Sequence, residues 1–527
     1  MSYRVCIPCA GIGSRLNDLT KYLNKSLVTL SNKPIISHII EKFSSDTEFV
    51  IALGYKGDLV KDFLELAYPE KVFIFVDVNP YDGQGSGLGL SLIKCKDFLQ
   101  EPFVFISCDT LVEETIPEPV KNWMGYSYCD NYDEYRTIDI KDSLVISIND
   151  KLFNNINNPA YIGLAGIANY KEFWDSMVDE KSISIEVGES HGLKSLLDKN
   201  FKIYAENFTW HDVGNMSSLN VARNYYHGKE KLNILEKSNE SIWFVSNKVI
   251  KFSADNNFIF NRAYRAQKLI DYVPDLIKVK KNMFSYYKIN GDVVSENINL
   301  PLFKNLLEFS IKFWKQANMS NDDKKDFDKL CLSFYYSKTL ERIQLFYENN
   351  SISDNYQSIN GIKMPTLLSL LNTLNWNWIS DSIPCRFHGD FHFENILWDC
   401  DNKEFVFLDW RQDFAGNLEY GDQYYDLAKL LHGMIINHGI ISENLYHINW
   451  NQSEISFNFH RLQNLIKCEE YFYEWLDVQG FDKKKVITIT ALIFLNISPL
   501  HHYPYSLLLY ALGKEMLFNL QNNIFDI

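Results

Sequence analysis

Short apolar and β-branched runs alternate with helical patterns over the first hundred or so residues. Val5–Ile7, Phe49–Leu53, Val72–Phe75 and Phe103–Ile106 read as buried strands, and Pro34–Phe43, Leu59–Leu66 and Leu88–Phe98 carry apolar residues at helical spacing. This rhythm predicts a parallel, doubly wound α/β sheet, Rossmann-like, in which ligands sit beyond the carboxyl ends of the strands. Chemistry is therefore expected just after Ile7 and just after Ile106.

A helical run from Asn215 to Tyr226 leads into the charged, glycine-containing stretch His227–Leu232, which marks a domain boundary. A new unit starts near Ser241, where Ile242–Phe252 reads as two short strands joined by a Ser-Asn-Lys turn. Amphipathic helical patterns dominate from Leu300 onward. The expected layout is a first domain over residues 1–228 and a second, α+β domain over 240–527. The apolar stretch Val486–Ile497 is shorter than the roughly 20 residues of a membrane span, so it reads as a core helix and no membrane insertion is expected.

At 527 residues the chain exceeds the roughly 250 to 300 residues at which one hydrophobic core stops growing, which supports two domains. A hydrophobic share of 46% with only 14 prolines and 24 glycines excludes long disorder. The net charge of -15 excludes a general nucleic-acid or anionic-membrane binder, leaving small molecules as partners. A phosphorylated small molecule would then have to be held by local charge: a metal ion, single basic side chains and backbone N–H groups. Nine scattered cysteines suit a reducing compartment, the cytoplasm, and Met1 runs directly into Tyr3–Ile7 without a basic leader. Cys6 and Cys9 have metal-site spacing, but three residues apart on a strand they point to opposite faces.

After the first strand come Cys9, Ala10, Gly11, Ile12, Gly13, Ser14 and Arg15, with Lys25 following. Glycines here let backbone fold closely around phosphates, although they equally serve a tight turn. A second glycine-rich loop, Tyr81–Gly89, contains Gln84, Gly85 and Gly87 and precedes a helix, so it lies at the same rim, suited to pack against a base or ribose. Asp109 stands just beyond the strand Phe103–Ile106, and Asp212 lies on a turn before Gly214; two carboxylates plus phosphate oxygens suit Mg²⁺. Either aspartate also fits an ordinary turn or cap.

Over residues 1–226 the chain resembles the sugar-1-phosphate and choline-phosphate nucleotidyltransferases. Gly11, Gly13 and Arg15 match that family's Gly-x-Gly-x-Arg signature, Lys25 its following lysine, Asp109 and Asp212 its metal carboxylates, and Tyr161–Ile167 its substrate-side strand. Asn24 departs from the proline that commonly precedes the lysine. The resemblance implies in-line attack by a substrate phosphate on the α-phosphorus of a nucleoside triphosphate. Arg15 and Lys25 would neutralise the developing charge, and Ala10, Gly11, Gly13, Gln84, Gly85 and Gly87 would bind the nucleotide.

In the second half His388, Gly389, Asp390, His392 and Asn395 precede an apolar strand, and Asp409 follows the next one. An Asp in a loop can accept a hydroxyl proton, an Asn five residues on can reach a metal, and an Asp leaving a strand can hold the same metal on ATP. This half resembles the aminoglycoside phosphotransferase and choline kinase family, which shares the protein-kinase fold. The resemblance implies Asp390 as catalytic base, Asn395 and Asp409 as metal ligands, and Lys251 on the ATP phosphates. Asp422 and Asp426 match a following stretch and read as structural or substrate-side. The helix expected over Phe258–Ile270 has no Glu to pair with Lys251 and carries Arg262, Arg265 and Lys268 instead, which leaves Asp255 or Asp271 as candidate partners.

Together the halves imply a bifunctional enzyme. The second half would phosphorylate a sugar, polyol or amino alcohol with ATP, and the first would join the product to a nucleotide from CTP, UTP or GTP, supplying a precursor for surface polysaccharide. Choline kinase coupled to choline-phosphate cytidylyltransferase is an alternative, and a nucleotide sensor with one inactive half is another.

Overall fold

The computed structural model describes residues 3–129, 134–151, 158–226, 238–451 and 453–524. The stretch His227–Leu232 lies outside the described residues. The chain forms two compact units, one of Met1–Ile259 with Ile277–Lys288, the other of Phe260–Leu276 with Ile289–Ile527.

The first unit is built on a nine-stranded sheet. From one edge its strands run Phe73–Asp77, Glu48–Leu53, Arg4–Cys9, Phe103–Ile106, Ala160–Ile167, Trp123–Ser127, Tyr204–Asn207, Leu144–Asn149 and Thr137–Lys141. The first four are parallel, as the strand and helix rhythm predicts, with Ile35–Ile40, Gly57–Ala67 and Leu88–Cys95 among the connecting helices. Ala160–Ile167 then enters antiparallel, so the sheet becomes mixed beyond Ile106. Helices cover both faces, and each covering encloses its own core. Cys9 faces one core with Val5 and Ile7, whereas Cys6 faces the other with Val50 and Phe105. The alternation of a strand thus separates the two thiols, and both remain free.

The predicted hairpin forms as Glu240–Val245 and Lys248–Ser253, turning at Ser246, which takes a left-handed φ of 54°. It packs within the first unit, although the sequence places it at the start of the second domain. Trp243 sets its ring edge against Phe63 at 5.2 Å and donates from Nε1 to Thr29 Oγ1 at 2.9 Å. Lys280 pairs with Asp62 and Glu65. A tryptophan buries its apolar body this deeply only where its N–H finds an acceptor, and Thr29 supplies one.

The second unit is mainly helical around the small sheet Gly291–Val293, Ile396–Asp399 and Glu404–Phe407. Gln423–Ile435, Lys483–Ile497 and Tyr505–Gln521 form its centre and are almost wholly buried. The apolar stretch ending at Ile497 is thus a core helix. Among the described residues no helix is long and apolar enough to cross a membrane.

Candidate functional sites

In the first unit the rim of the parallel strands carries a pocket of about 260 Å³, whose lining includes Ala10, Gly11, Lys25, Tyr81, Gly87 and Asp109. Lys25 reaches it from a single 3-10 turn, and Asn24 fixes that turn. The buried Asn24 amide donates to Cys9 O at 2.8 Å and Tyr55 O at 2.7 Å, and its Oδ1 accepts from Ser26 N and Oγ. A proline could make none of these bonds, so the departure at Asn24 is a different way of holding the same lysine. Gly13, at a φ of 71°, leaves no room for a side chain: a Cβ there would lie 2.7 Å from the Lys25 Cβ.

Lys25 Nζ pairs with Asp109 Oδ2 at 3.0 Å. Burial opposes both charges, but each partner stabilises the other, keeping Lys25 protonated and lowering the Asp109 carboxyl. Asp212 arrives from far along the chain because Trp210–Asp212 pairs antiparallel with Thr110–Val112, and Val213 N donates to Asp109 O at 3.1 Å. The three charged groups meet at Gly214, where a Cβ would stand 3.0 Å from Asp109 Oδ2, 3.2 Å from Asp212 Oδ1 and 3.3 Å from Arg15 Nη2. Burial, then the Asp109 charge, raises the Asp212 carboxyl. Gln84 and Gly85 are exposed, and Gly83 and Gly85 take left-handed φ in open space.

Sequence reasoning missed a buried polar group beside this centre. Glu189 lies on the helix Glu189–Asp198, electrostatically coupled to Tyr161, Arg136 and Asp109, and burial pushes its carboxyl up to about 7. Tyr161 is on the strand Ala160–Ile167, which pairs antiparallel with Phe103–Ile106. Glu189 Oε2 and Tyr161 Oη are buried without a hydrogen bond of regular geometry.

In the second unit Asp390, Asn395 and Asp409 come together. Asn395 Nδ2 donates to Asp390 O at 2.9 Å and Oδ2 at 3.1 Å, and Asn395 O accepts from Leu408 N at 2.7 Å. Asp409 adopts a left-handed φ of 54° and pairs with Arg262 at 2.9 Å. The loop is anchored from below by Asp426, which accepts from His388 N, Gly389 N and Trp314 Nε1 at 2.7, 2.7 and 3.0 Å. Asp422 caps Gln423–Ile435 and accepts from Tyr335 Oη at 2.8 Å. Asp426 thus anchors the reaction loop, and Asp422 anchors the start of the helix behind it. Burial drives His388 down to about 3, leaving a neutral ring whose Nε2 bonds Leu408 O.

Lys429 is the second residue missed. It lies on the same buried helix and pairs with Asp390 Oδ1 at 2.7 Å. A lysine inside Leu427–Leu431, otherwise apolar apart from it, was a readable sign of a paired charge. Burial works against His392, yet Asp390 and Glu394 overcome it and push the ring up to about 9. Lys251 is buried in the strand Lys248–Ser253, 5.8 Å from the Tyr286 ring centre, and counts with the first unit. Of its candidate partners, Asp255 caps the following helix by accepting from Asn257 N at 2.9 Å.

A model of the phosphotransferase enzyme family matches residues 352–463, which include the Asp390 loop and Asp409. The chain is 24% identical over 265 residues to the bifunctional protein GlmU of Methanococcus maripaludis, covering 47% of this chain and 60% of that protein. It is 23% identical over 167 residues to the D-glycero-alpha-D-manno-heptose 1-phosphate guanylyltransferase of Campylobacter jejuni, covering 30% of this chain and 73% of that one. A solved CTP:phosphocholine cytidylyltransferase from Streptococcus pneumoniae overlaps at a TM-score of 0.35 and 18% identity, covering 43% of this chain and 99% of that one. The chain spans about 60% of the length of the GlmU relative it matches. An N-terminal region similar to sugar-phosphate nucleotidyltransferases thus precedes a C-terminal region that the phosphotransferase enzyme family model matches.

Proposed function

We propose that the chain catalyses two consecutive reactions. The C-terminal half transfers the γ-phosphoryl group of ATP to a hydroxyl of a small sugar, polyol or amino alcohol. The N-terminal half then joins that phosphate to the nucleotidyl group of CTP, UTP or GTP, releasing pyrophosphate and yielding an activated precursor for surface polysaccharide. Pathway order runs opposite to chain order.

The observation that carries this reading is the meeting of Asp109, Asp212 and Arg15 at Gly214, with Lys25 on Asp109, in a chain that also holds the Asp390 and Asn395 pair. The missing Gly214 side chain leaves a cradle between two carboxylates that fits a hard cation, and Asp109 and Asp212 would hold Mg²⁺ there. Asn395 and Asp409 would hold it in the kinase half. Mg²⁺ when bound neutralises phosphate oxygens and the leaving group. Lys25 and Arg15 add fixed positive charge beside the α-phosphate, Ala10, Gly11, Gly13, Gln84, Gly85 and Gly87 hold the nucleotide, and Lys251 holds the ATP phosphates. Asp390 orients the acceptor hydroxyl and takes its proton.

A second reading, a nucleotide sensor with an inactive kinase half, draws on the Arg262 pair that occupies Asp409. Product analysis separates the two. Full-length protein is given Mg²⁺, ATP, each other nucleoside triphosphate and a library of sugars, polyols and amino alcohols. Asp390→Asn should abolish the phosphorylated intermediate, and Asp109→Asn should let it accumulate. Full flux in both variants overturns the assignment, and absence of ADP release from wild type favours the sensor.

A further inference from the structure

Within the second unit, the helices Asn321–Leu332 and Lys338–Asn350 and the connecting turn Ser333–Ser337 border an open cleft of about 530 Å³. That size suits a small metabolite. Its walls carry Lys338 and Arg342 one helical turn apart, with the exposed Glu341 as the carboxylate of the lining. Lys338 Nζ lies 4.3 Å from the centre of the Phe334 ring, and the Arg411 guanidinium lies 5.0 Å from the same ring. Arg411 adjoins the reaction loop: a Cβ on Gly389, next to Asp390, would lie 2.6 Å from the Arg411 Cβ. A run of cations thus leads from the cleft, through Lys338, Arg342 and Arg411, to the Lys429 that pairs with Asp390.

The first three outnumber the carboxylates near them, which are Glu341 in the lining and Asp413, whose charge acts on Lys338. Among the described residues neither Glu341 nor any other carboxylate forms an ion pair with them, Asp413 is engaged by Gly416 N at 2.8 Å, and Arg411 Nε is buried with no hydrogen-bond partner. Burial, then Arg411, Arg342 and Lys429, brings Lys338 down to about 7, with Asp413 opposing them. Three grouped cations against Glu341 and Asp413 leave a net positive charge that matches an anion, whereas a quaternary ammonium would be repelled and would find the Phe334 ring already attended by cations.

We propose that the phosphoryl acceptor is an anionic alcohol, with its carboxylate or phosphate held by Lys338, Arg342 and Arg411 and its hydroxyl facing Asp390. This rests on the kinase reading of the second half. The acceptor oxygen forms a bond to the γ-phosphorus of ATP, the bond from that phosphorus to the β,γ-bridging oxygen breaks, ADP leaves, and the hydroxyl proton passes to Asp390 and then to solvent. The product keeps its original anion and gains a phosphate monoester.

The test measures Mg²⁺-dependent ADP release by the full chain with matched acceptors: neutral sugars and polyols, the corresponding sugar acids and hydroxy acids, the corresponding monophosphates, and choline. The proposal expects an anionic member to exceed its neutral counterpart in kcat/KM by on the order of 10²-fold, with the acid and phosphate arms identifying which anion is used. Lys338→Met and, separately, Arg342→Gln should raise KM for that acceptor about tenfold or more with KM for ATP unchanged, and Lys338→Arg should restore most of it. Preference for a neutral alcohol or choline overturns the proposal. So does a rise in KM for ATP in both variants, which would assign the cations to the triphosphate. ADP release with no acceptor of any class defeats the kinase reading itself and the proposal with it.

Discussion

Lys429 Nζ lies 2.7 Å from Asp390 Oδ1, so the proposed general base meets a buried cation carried by the helix whose Asp426 anchors its own loop. Burial alone would raise the Asp390 carboxyl; Lys429 and His392 reverse that and hold it well below the usual carboxylate range. One helix thereby fixes both the position and the charge of the loop.

Lys429→Met should return the Asp390 carboxyl toward higher pKa. Phosphoryl transfer needs the deprotonated carboxylate, so the acid limb of the kcat/KM profile should move up by about 1 to 2 pH units. A profile that keeps its acid limb while kcat falls uniformly would assign Lys429 a packing role only.

Asp212→Asn removes one carboxylate from the Gly214 cradle. The Mg²⁺ concentration for half-maximal nucleotidyl transfer should rise at least about tenfold, while ADP release by the kinase half stays unchanged. Titrating Mg²⁺ against pyrophosphate release checks this.

Asn24→Ala strips donors from two backbone carbonyls and an acceptor from Ser26, all at a buried position. Such a loss should destabilise the first unit by about 2 to 4 kcal/mol, read by denaturant unfolding, and should lower nucleotidyl transfer by loosening Lys25.

Glu189 predicts a pH dependence of stability. Its carboxyl is raised by burial from 4.5 to about 7, so the folded state binds a proton that the unfolded state releases between those values. Its contribution is fully present below pH 4.5 and is lost as pH rises through 7. Glu189→Gln should remove this component, flattening the decline between pH 5 and 8 by on the order of 3 kcal/mol. Chemical denaturation of both proteins at several pH values measures the difference.

The sequence by itself determined the parallel strands from Arg4 to Ile106, their helices and the Asp390, Asn395 and Asp409 spacing, because strand period, turn chemistry and loop spacing are local. The separation of Cys6 from Cys9 followed from the same alternation. Only the tertiary structure decided what meets what. Trp210–Asp212 pairs with Thr110–Val112, which brings Asp212 to Asp109 and Arg15 through a strand pairing no local pattern announces. Asn24 holds Lys25 through carbonyls of two distant segments, and Arg262 pairs with Asp409 where a family comparison sought a glutamate. Lys429 and Glu189 took their roles from burial, since a charge in a packed interior is governed by the partners that long-range folding places beside it.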